Sequence, residues 1–276
     1  MLDAPLERPR TPPRPRSPGV DLDGSIPRHW LANNVWATHV ANGVNLLFPA
    51  GERFFVRAVR HYLPKVEDPV LREHVKGFFG QEGRHAKEHE RFFEVLEQQG
   101  YDVQRFLRVY EAIAYGLIEK IAPPSLRLAS TAACEHFTAI LAEEALRGRL
   151  LDFAHPSLRK LLWWHAAEEI EHRAVAFDVL RAVAPGYGLR MAGLAMATVC
   201  LAGFWIAATS SLLVQERSLG RTRLKKDAAI ARAWPGTRDR DVFARGIREY
   251  MRRDFHPSQS DIDGLASAYL ASVGLS

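Results

Sequence analysis

The chain has 276 residues, of which 47% are apolar and 25% charged, and its formal net charge at pH 7 is +5. This length suits one large domain or two small ones. The two cysteines, Cys134 and Cys200, exclude a disulfide framework and favour a reducing compartment. Because the N-terminus has no apolar segment of the kind that a secretory signal needs, we expect a cytoplasmic protein. The chain has no phosphate-binding glycine loop, nucleophile elbow or paired zinc cysteines, which argues against the enzyme classes that these motifs mark.

Residues 1–28 form a tail rich in proline and arginine, with seven of the sixteen prolines and five arginines. Such a composition cannot bury enough apolar surface to offset the entropy of ordering the chain. We therefore predict a disordered tail, which is either simply solvated or binds a partner or an acidic surface.

Beyond residue 28, Ala, Leu, Glu and Arg dominate and β-branched alternation is nearly absent, which predicts an all-α fold. The first helix is predicted at about 36–61, with a new start at Pro49, since proline suits a first helical turn. The second is predicted at about 68–99 and ends at Gly100.

Three further helices complete the predicted bundle. One covers about 102–121, is closed by a proline pair and is expected to be a crossover. The next two cover about 125–149 and about 156–184, and the last of them ends at a Pro-Gly pair. Residues 29–185 are therefore expected to form a four-helix bundle with one crossover helix.

Two fragments with the pattern Glu-x-x-His lie inside predicted helices: Glu82-Gly-Arg-His85 and Glu169-Ile-Glu-His172. At this spacing both side chains leave the same helix face, one turn apart. With nineteen glutamates and eleven histidines, about one such match is expected by chance. The arrangement adds weight, because Glu52 lies 30 residues before the first motif and Glu135 lies 34 residues before the second. A turn signal falls inside each gap, as in a pair of antiparallel helices.

These residues form the ligand pattern of a carboxylate-bridged two-metal site in a four-helix bundle. In this pattern the Glu of each motif bridges the metals and its His is a terminal ligand. Oxygen and imidazole donors without thiolate favour two iron ions, with manganese as the alternative. On the fourth helix, Glu143 or Glu144 can take the place of Glu135.

His165 lies four residues before Glu169 and therefore on the same helix face. It is a seventh ligand, a proton relay behind the ligands, or a histidine packed against the neighbouring tryptophans. We expect His89 to lie behind the ligands or at the surface, and Glu168 and Glu171 to pair with arginines.

Four segments resemble the bacterial ferritin-like family described as predicted metal-dependent hydrolases: Glu52-Arg-Phe-Phe, Glu82-Gly-Arg-His-Ala-Lys-Glu-His89, Glu135-His-Phe-Thr138 and Trp164-His-Ala-Ala-Glu-Glu-Ile-Glu-His172. The likeness extends from about Trp30 onward. The ligand string is also similar to that of the non-haem di-iron N-oxygenases that act on arylamines, which have an additional histidine at the spacing of His165. The resemblance implies a ferritin-like bundle and the following metal ligands: Glu52, Glu82, His85, Glu135, His165, Glu169 and His172. The arylamine substrate is not carried over, because the likeness to the N-oxygenases is confined to the ligands.

The segment from Met191 to Val214 contains no charged residue. Its length can span a bilayer, but its content of small residues also suits a tightly packed helix. Residues 216–254 then hold twelve Lys and Arg against six Asp and Glu. For 186–276 we therefore predict an apolar helix and a basic C-terminal helical segment. They are packed on the bundle, lie in a homodimer interface, or lie at an anionic membrane surface, either in its plane or across it.

Three functions agree with these patterns. The first is a di-iron oxidase or oxygenase that activates dioxygen on a small apolar organic substrate, with an electron donor and with no catalytic residue beyond the metal ligands. The second is a metal-dependent hydrolase that uses the same dinuclear site. The third is a non-enzymatic ferritin-like protein that stores metal or acts as a membrane-associated scaffold. Nucleic acid is not an expected partner, because the basic segment lacks a reader signature.

Overall fold

The fold is all-α, as the composition predicts. A computed structural model describes residues 11–148, 150–216, 220–233 and 242–275. The regular elements of these residues are helices joined by turns: α1 (Val35–Asn45), α2 (Phe48–Tyr62), α3 (Pro69–Gln98), α4 (Val103–Ile113), a π-helical turn (Ala114–Ile118), α5 (Glu119–Ile121), α6 (Pro124–Arg147), α7 (Pro156–His172), α8 (Val175–Val183), α9 (Tyr187–Gln215), α10 (Arg221–Ala233), α11 (Val242–Tyr250) and α12 (Asp263–Ser272).

Local signals explain where several of these helices begin. α2 has Pro49 in its first turn, so the helix predicted at 36–61 is interrupted before Phe48 and starts again there. The carboxylate of Asp68 caps α3 by accepting hydrogen bonds from the backbone N–H groups of Val70 and Leu71. The helix predicted at 156–184 is likewise two helices, α7 and α8, and the break follows His172 directly.

The four helices that carry the predicted ligands pack around one another. α2 packs against α3 and α6, and α7 packs against α6 and α3, which closes a four-helix arrangement. α4, the π-helical turn and α5 lead from α3 to α6 and occupy the predicted crossover position. Side chains that point inward from all four helices therefore meet in the middle of the bundle.

Three apolar clusters fill the interior. α3 contributes to the two larger ones, and a polar layer of α3 lies between these two contributions. Phe92 near the end of α3 belongs to one cluster together with Trp164, and Phe78 near its beginning belongs to the other together with Phe177. The stretch 81–89 between these phenylalanines carries buried Gln, Glu and His side chains. Buried polar groups at this level need hydrogen-bond or charge partners within the bundle.

Residues 11–28 of the tail are described by the structure, while residues 1–10 lie outside the described residues. The segment runs across α3, where a Cβ at Gly77 or at Gly80 would overlap the backbone of Pro13 or the ring of Pro15. Arg16 forms hydrogen bonds of 2.7 and 3.0 Å with the carboxylate of Glu171. The two glycines leave room for the prolines, and the half-buried Glu171 on α7 supplies the charge that holds the arginine.

One face of α9 packs along α6 and α1, and its other face is exposed. Gly193 lies so close to α6 that a Cβ there would overlap Ala129, which explains the small residue at this position. α9 is long and apolar enough to cross a membrane by length and composition, and 22% of its most apolar window is buried. One face of the 191–214 segment is therefore packed on the bundle, and its other face is exposed.

The remaining C-terminal helices also pack on the helical body. α10 contacts α1, α11 contacts α6, and α12 contacts α7 and α6.

Candidate metal centre

The structure brings all seven predicted ligands into one buried cluster in the middle of the bundle. Glu52 comes from α2, Glu82 and His85 come from α3, and Glu135 comes from α6. His165, Glu169 and His172 come from successive turns of α7. Each of the seven side chains is buried.

The ligand atoms form overlapping groups, in each of which they lie within 4.8 Å of one another. One group contains Glu52, Glu82 and His85, and another contains Glu82, Glu135 and His172. Glu82 therefore belongs to both. Oε1 of Glu169 also lies between the two groups, 3.5 Å from Nδ1 of His85 and 3.4 Å from Nε2 of His172. Two adjacent positions for a cation follow, with the carboxylates of Glu82 and Glu169 shared between them.

Many polar atoms of this cluster have no hydrogen-bond partner among the described residues. They are both oxygens of Glu52, Glu82 and Glu135, Oε2 of Glu169, Nδ1 of His85 and Nε2 of His172. Buried carboxylates in this condition are costly unless a cation neutralises them. Four carboxylates match the charge of two divalent ions, and oxygen and imidazole donors suit iron or manganese. The residues present therefore fit a dinuclear metal centre.

The carboxyl groups of the cluster have displaced pKa values. Burial raises the pKa of Glu135 and of Glu52 well above the usual range, and the neighbouring carboxylates raise it further. Burial acts in the same direction on the carboxyl group of Glu169, but His172 and His165 outweigh it and hold that pKa well below its usual range. One of the four carboxylates is therefore firmly ionised in the metal-free protein, and the others resist ionisation.

The imidazoles show the complementary pattern. Burial opposes a charge on His85, but the nearby carboxylates of Glu168 and Glu169 raise its pKa to about 10. The pKa of His172 is also raised well above its usual value, against the effect of burial, by Glu169 and Glu135. In the metal-free protein at neutral pH these two rings are therefore protonated and positively charged, whereas an imidazole that binds a metal must be neutral. Metal binding at this cluster is therefore expected to release protons.

Side chains behind the cluster orient the two histidines of the Glu-x-x-His motifs. Nε2 of His85 lies 3.1 Å from Oε2 of Glu168, and Nδ1 of His172 lies 2.9 Å from Oε1 of Gln81. The nitrogen that faces the cluster is therefore Nδ1 in His85 and Nε2 in His172. Partners of this kind set the tautomer and direction of metal-binding imidazoles.

The structure refines the expectations for the acids that flank the second motif. Glu171 does pair with an arginine, Arg16. Glu168 is fully buried and accepts hydrogen bonds from the backbone N–H of Arg16 and from Nε1 of Trp164, in addition to its contact with His85. Its place behind a candidate ligand was missed. No pattern within one helix indicates this role, because Glu168 on α7 contacts His85 on α3, and Gln81 on α3 contacts His172 on α7.

His165 lies inside the cluster. Its Nε2 is 2.9 Å from Oε1 of Glu169, and its Nδ1 is 2.6 Å from Nε2 of His89. Its ring lies 4.1 Å from the ring of His85 and 4.6 Å from that of Phe48. Burial and the neighbouring His85 lower the pKa of His165 to about 4, which keeps the ring neutral. His89, expected behind the ligands or at the surface, is buried behind His165.

On α6 the structure distinguishes among the three glutamates. Glu135 is fully buried in the cluster. Glu143 lies two turns further along and is partly exposed, with Oε1 2.9 Å from Nε of Arg147. Glu144 belongs to the same last turns of the helix. Glu135 is therefore the member of the three that faces the other candidate ligands.

An apolar cavity of about 110 Å³ reaches the cluster from one side. Glu52 and Glu169 lie in its wall at the cluster, while Tyr115 and Phe204 line it on the side of the π-helical turn and α9. A small apolar group can therefore approach the candidate metal positions without crossing the polar layer.

A second group of candidate ligands lies at the end of α9 and consists of His29, His39 and Glu216. Nε2 of both rings lies within 3.0 Å of Oε1 of Glu216, and the same oxygen also accepts hydrogen bonds from Arg28 and Tyr101. Burial opposes ionisation of Glu216, but these donors lower its pKa to about 2. Because the oxygen is already satisfied, we interpret this group as a structural tie between the N-terminal segment and α9.

The sequence model of a protein family described as "Predicted metal-dependent hydrolase" matches residues 14–261. Neither the curated proteins nor the solved structures that were searched gave a match. The family match covers most of the chain, including all seven candidate ligands and the segment that holds Arg16.

Proposed function

We propose that this chain, which belongs to the predicted metal-dependent hydrolase family, is a dinuclear metal enzyme built on a ferritin-like bundle. The observation that carries the proposal is the set of buried carboxylate oxygens from four helices that lack hydrogen-bond partners among the described residues. Glu52, Glu82, Glu135 and Glu169 would hold the two metals together with His85, His165 and His172. We propose iron as the metal, with manganese as the alternative.

The reaction that we propose first is hydrolysis of an apolar ester or amide, in agreement with the description of the family. When bound, the two ions supply Lewis acidity at the inner end of the cavity. The apolar wall holds the organic part of the substrate, and Glu52 and Glu169 mark the place where its reacting group lies. His89 and His165, 2.6 Å apart, share a proton and keep Nε2 of His165 directed at Glu169.

Two tyrosines add polar groups to the otherwise apolar cavity. The hydroxyl groups of Tyr110 and Tyr115 are 2.6 Å apart, and both residues line the cavity. Burial raises the pKa of each phenol, so both remain protonated at neutral pH. A protonated phenol can donate a hydrogen bond to a substrate oxygen and so orient the substrate.

The reaction class is tested with metal-loaded protein in the strict absence of oxygen. We expect the manganese or zinc form to hydrolyse p-nitrophenyl esters, with higher kcat/KM for longer acyl chains than for acetate. A Glu90→Gln variant, which changes an exposed acid on α3, is the matched control and keeps this activity. Absence of anaerobic turnover with any of these esters in a metal-replete sample would contradict hydrolysis.

The second candidate is activation of dioxygen on an apolar substrate, with an electron donor as partner. The observation that favours it is His165, a third imidazole inside the cluster at the spacing found in the di-iron N-oxygenases. The apolar cavity also suits dioxygen, which is itself apolar. Rapid oxygen uptake by the reduced iron form, measured with an oxygen electrode, together with no anaerobic hydrolysis, would favour this candidate over the first.

The role of Glu168 leads to a prediction on metal affinity. The Glu168→Gln variant is expected to bind metal about 10–100-fold more weakly, as found when groups behind metal ligands are changed. The carboxylate accepts from Arg16, Trp164 and His85, whereas an amide has one accepting oxygen and would turn its NH₂ toward one of these donors. Facing His85, that NH₂ favours the tautomer whose cluster-side nitrogen is protonated. Titration calorimetry with Mn²⁺ measures the change, and equal affinity in Glu168→Gln and wild type would contradict it.

A further inference from the structure

The exposed face of α9 is apolar except for Ser210. Val199 and Ile206 are 72% and 66% exposed, and Val214 also faces solvent. No charged residue interrupts the helix between Met191 and Val214. At 1.5 Å per residue the 29 residues of α9 extend over about 43 Å, so the apolar strip is long. Soluble monomers rarely expose a continuous apolar patch of this kind without a partner.

A second exposed apolar strip lies beside the first. It consists of Val109, Ile113, Leu117 and Ile121, which follow one another at intervals of four residues along α4, the π-helical turn and α5. α4 contacts α9, and the rings of Tyr110 and Phe204 meet at 4.9 Å. The two strips therefore belong to one surface, which we call the apolar face.

The cavity that leads to the candidate metal centre lies between the two strips. Ala114, Tyr115 and Ile118 line it from the π-helical turn, and Met196, Cys200 and Leu201 line it from α9. These six residues are only half-buried, so the cavity reaches the surface at the apolar face. Its volume of about 110 Å³ is well below the roughly 300–1,000 Å³ that holds a whole drug-sized ligand. A long substrate must therefore leave most of its length outside the cavity.

We propose that the apolar face rests on a lipid bilayer and that the substrate is an acyl-chain lipid that enters the cavity sideways from that bilayer. The reacting end of the chain occupies the cavity, and the remainder stays among the lipids that cover the apolar face. The lipid contact is inferred only from the apolar face, whereas the reaction of the acyl chain rests on the proposed function. This arrangement brings an insoluble substrate to a buried centre without exposing it to water.

Packing and charge favour contact of the apolar face with a bilayer surface over a transmembrane span of α9 or contact with a second copy of the chain. α9 packs lengthwise on α6 and α1, so it cannot cross a membrane without carrying the charged side chains of α6 into the lipid. A second copy of the chain on this face would close the mouth of the cavity. Beside the second strip, the exposed cations Arg105, Arg108 and Lys120 outnumber the one exposed carboxylate between 103 and 121, Glu111. Exposed cations next to an apolar surface suit anionic headgroups.

The lipid contact is tested by flotation of the full chain with vesicles of equal parts phosphatidylcholine and phosphatidylglycerol. We expect the wild-type protein to float with the vesicles. The vesicle partition coefficient of the Val199→Glu/Ile206→Glu variant is expected to be at least about 10-fold lower than that of wild type. The control is Val70→Glu, which makes the same kind of substitution once, on a side chain of α3 that is 52% exposed. This control is expected to float like wild type. A wild-type protein that does not float, or an equal loss in the Val70→Glu control, would overturn the proposal. So would a wild-type dimer that the Val199→Glu/Ile206→Glu change converts to a monomer without vesicles, as measured by light scattering.

The lateral entrance is tested with cis-parinaric acid, a fluorescent fatty acid. A Cys200→Trp variant fills the mouth of the cavity, so we expect it to bind this probe at least about 10-fold more weakly and still to float with vesicles. Unchanged probe binding in this variant would refute entry at this place. Metal content separates this proposal from the proposed function. A Glu82→Ala/Glu169→Ala variant that loses its metal is expected to float as before. A wild-type protein that binds no metal but still floats would refute only the proposed function.

Discussion

The Glu82→Ala/Glu169→Ala variant is expected to retain less than about one hundredth of the metal-binding affinity of the wild-type protein. These two carboxylates are shared between the candidate metal positions, so their loss removes ligands from both positions at once. Loss of a single supporting group behind a metal ligand already costs about 10–100-fold, and loss of two bridging ligands costs more. Elemental analysis of purified protein measures the result, with two metal ions per wild-type chain and none per variant chain.

The control for this experiment removes the same charge from the surface. Glu90 and Glu94 lie on the exposed side of α3, so a Glu90→Ala/Glu94→Ala variant is expected to keep its full metal content. Circular dichroism establishes that both variants remain helical. Two metals per chain in the Glu82→Ala/Glu169→Ala variant, or no metal in wild type reconstituted without oxygen, would show that the cluster is not a metal centre.

The second large effect concerns stability and has the opposite sign. In the metal-free protein at neutral pH, Glu52→Gln is expected to raise the free energy of unfolding by about 2 kcal/mol, because a neutral amide replaces a buried carboxyl group without hydrogen-bond partners among the described residues. For a chain of this size the corresponding rise in Tm is roughly 4–8 °C. When metal is added the order reverses, because the wild-type protein gains the binding energy of a ligand that the variant has lost.

The pH dependence of this effect follows from the raised pKa of Glu52. A carboxyl group whose pKa is higher in the folded than in the unfolded state contributes stability below its unfolded pKa, near the ordinary value of 4.5. That contribution is lost as the pH rises toward the folded pKa. The Tm difference between Glu52→Gln and wild type should therefore be small near pH 4.5 and grow as the pH rises to neutrality. Calorimetry in the presence of a chelator measures it, with Glu90→Gln as the control that shows no difference. A metal-free Glu52→Gln variant less stable than wild type at neutral pH would contradict the assignment of Glu52 as an unpaired buried acid.

These two effects describe one trade-off. The bundle keeps carboxylates that weaken its metal-free form, at a level of the core where apolar side chains would pack more favourably. Phe78 and Phe92 show what the core of α3 contains on either side of this level. Residues that lower stability and persist at one level of a core are expected at sites of function.

The positions of the helices and of the candidate ligands could be predicted well because both follow from short-range patterns. Proline in a first turn, glycine after a last turn and the periodicity of apolar residues are local signals, and they placed the helix ends within a few residues. The three-residue interval in Glu82-x-x-His85 and Glu169-x-x-His172 determines a common helix face whatever the rest of the chain does. The interruption before Phe48 was predicted from Pro49, whereas the interruption after His172 was not predicted.

Long-range contacts could not be predicted in this way. Arg16 is far from Glu171 in the chain, and its segment is rich in proline and arginine, a composition that by itself predicts disorder. The fold places two glycines of α3 and the half-buried Glu171 beside this segment. Gln81 and Glu168 carry no motif of their own, because their role depends on which histidine lies opposite in a neighbouring helix. The apolar segment of α9 was compatible with several environments, and only packing on α6 and α1 shows which face is left exposed.

The sequence by itself thus predicted the all-α class, the approximate helices and the two Glu-x-x-His pairs with Glu52, while it left Glu143 and Glu144 open beside Glu135 and three roles open for His165. Tertiary structure decided that these residues meet, which groups orient them, and that an apolar cavity connects them to an exposed face between the π-helical turn and α9. The physical reason is the range of the interactions involved. Helix periodicity and capping act within a few residues, whereas the contacts that build a site depend on how distant helix faces pack together.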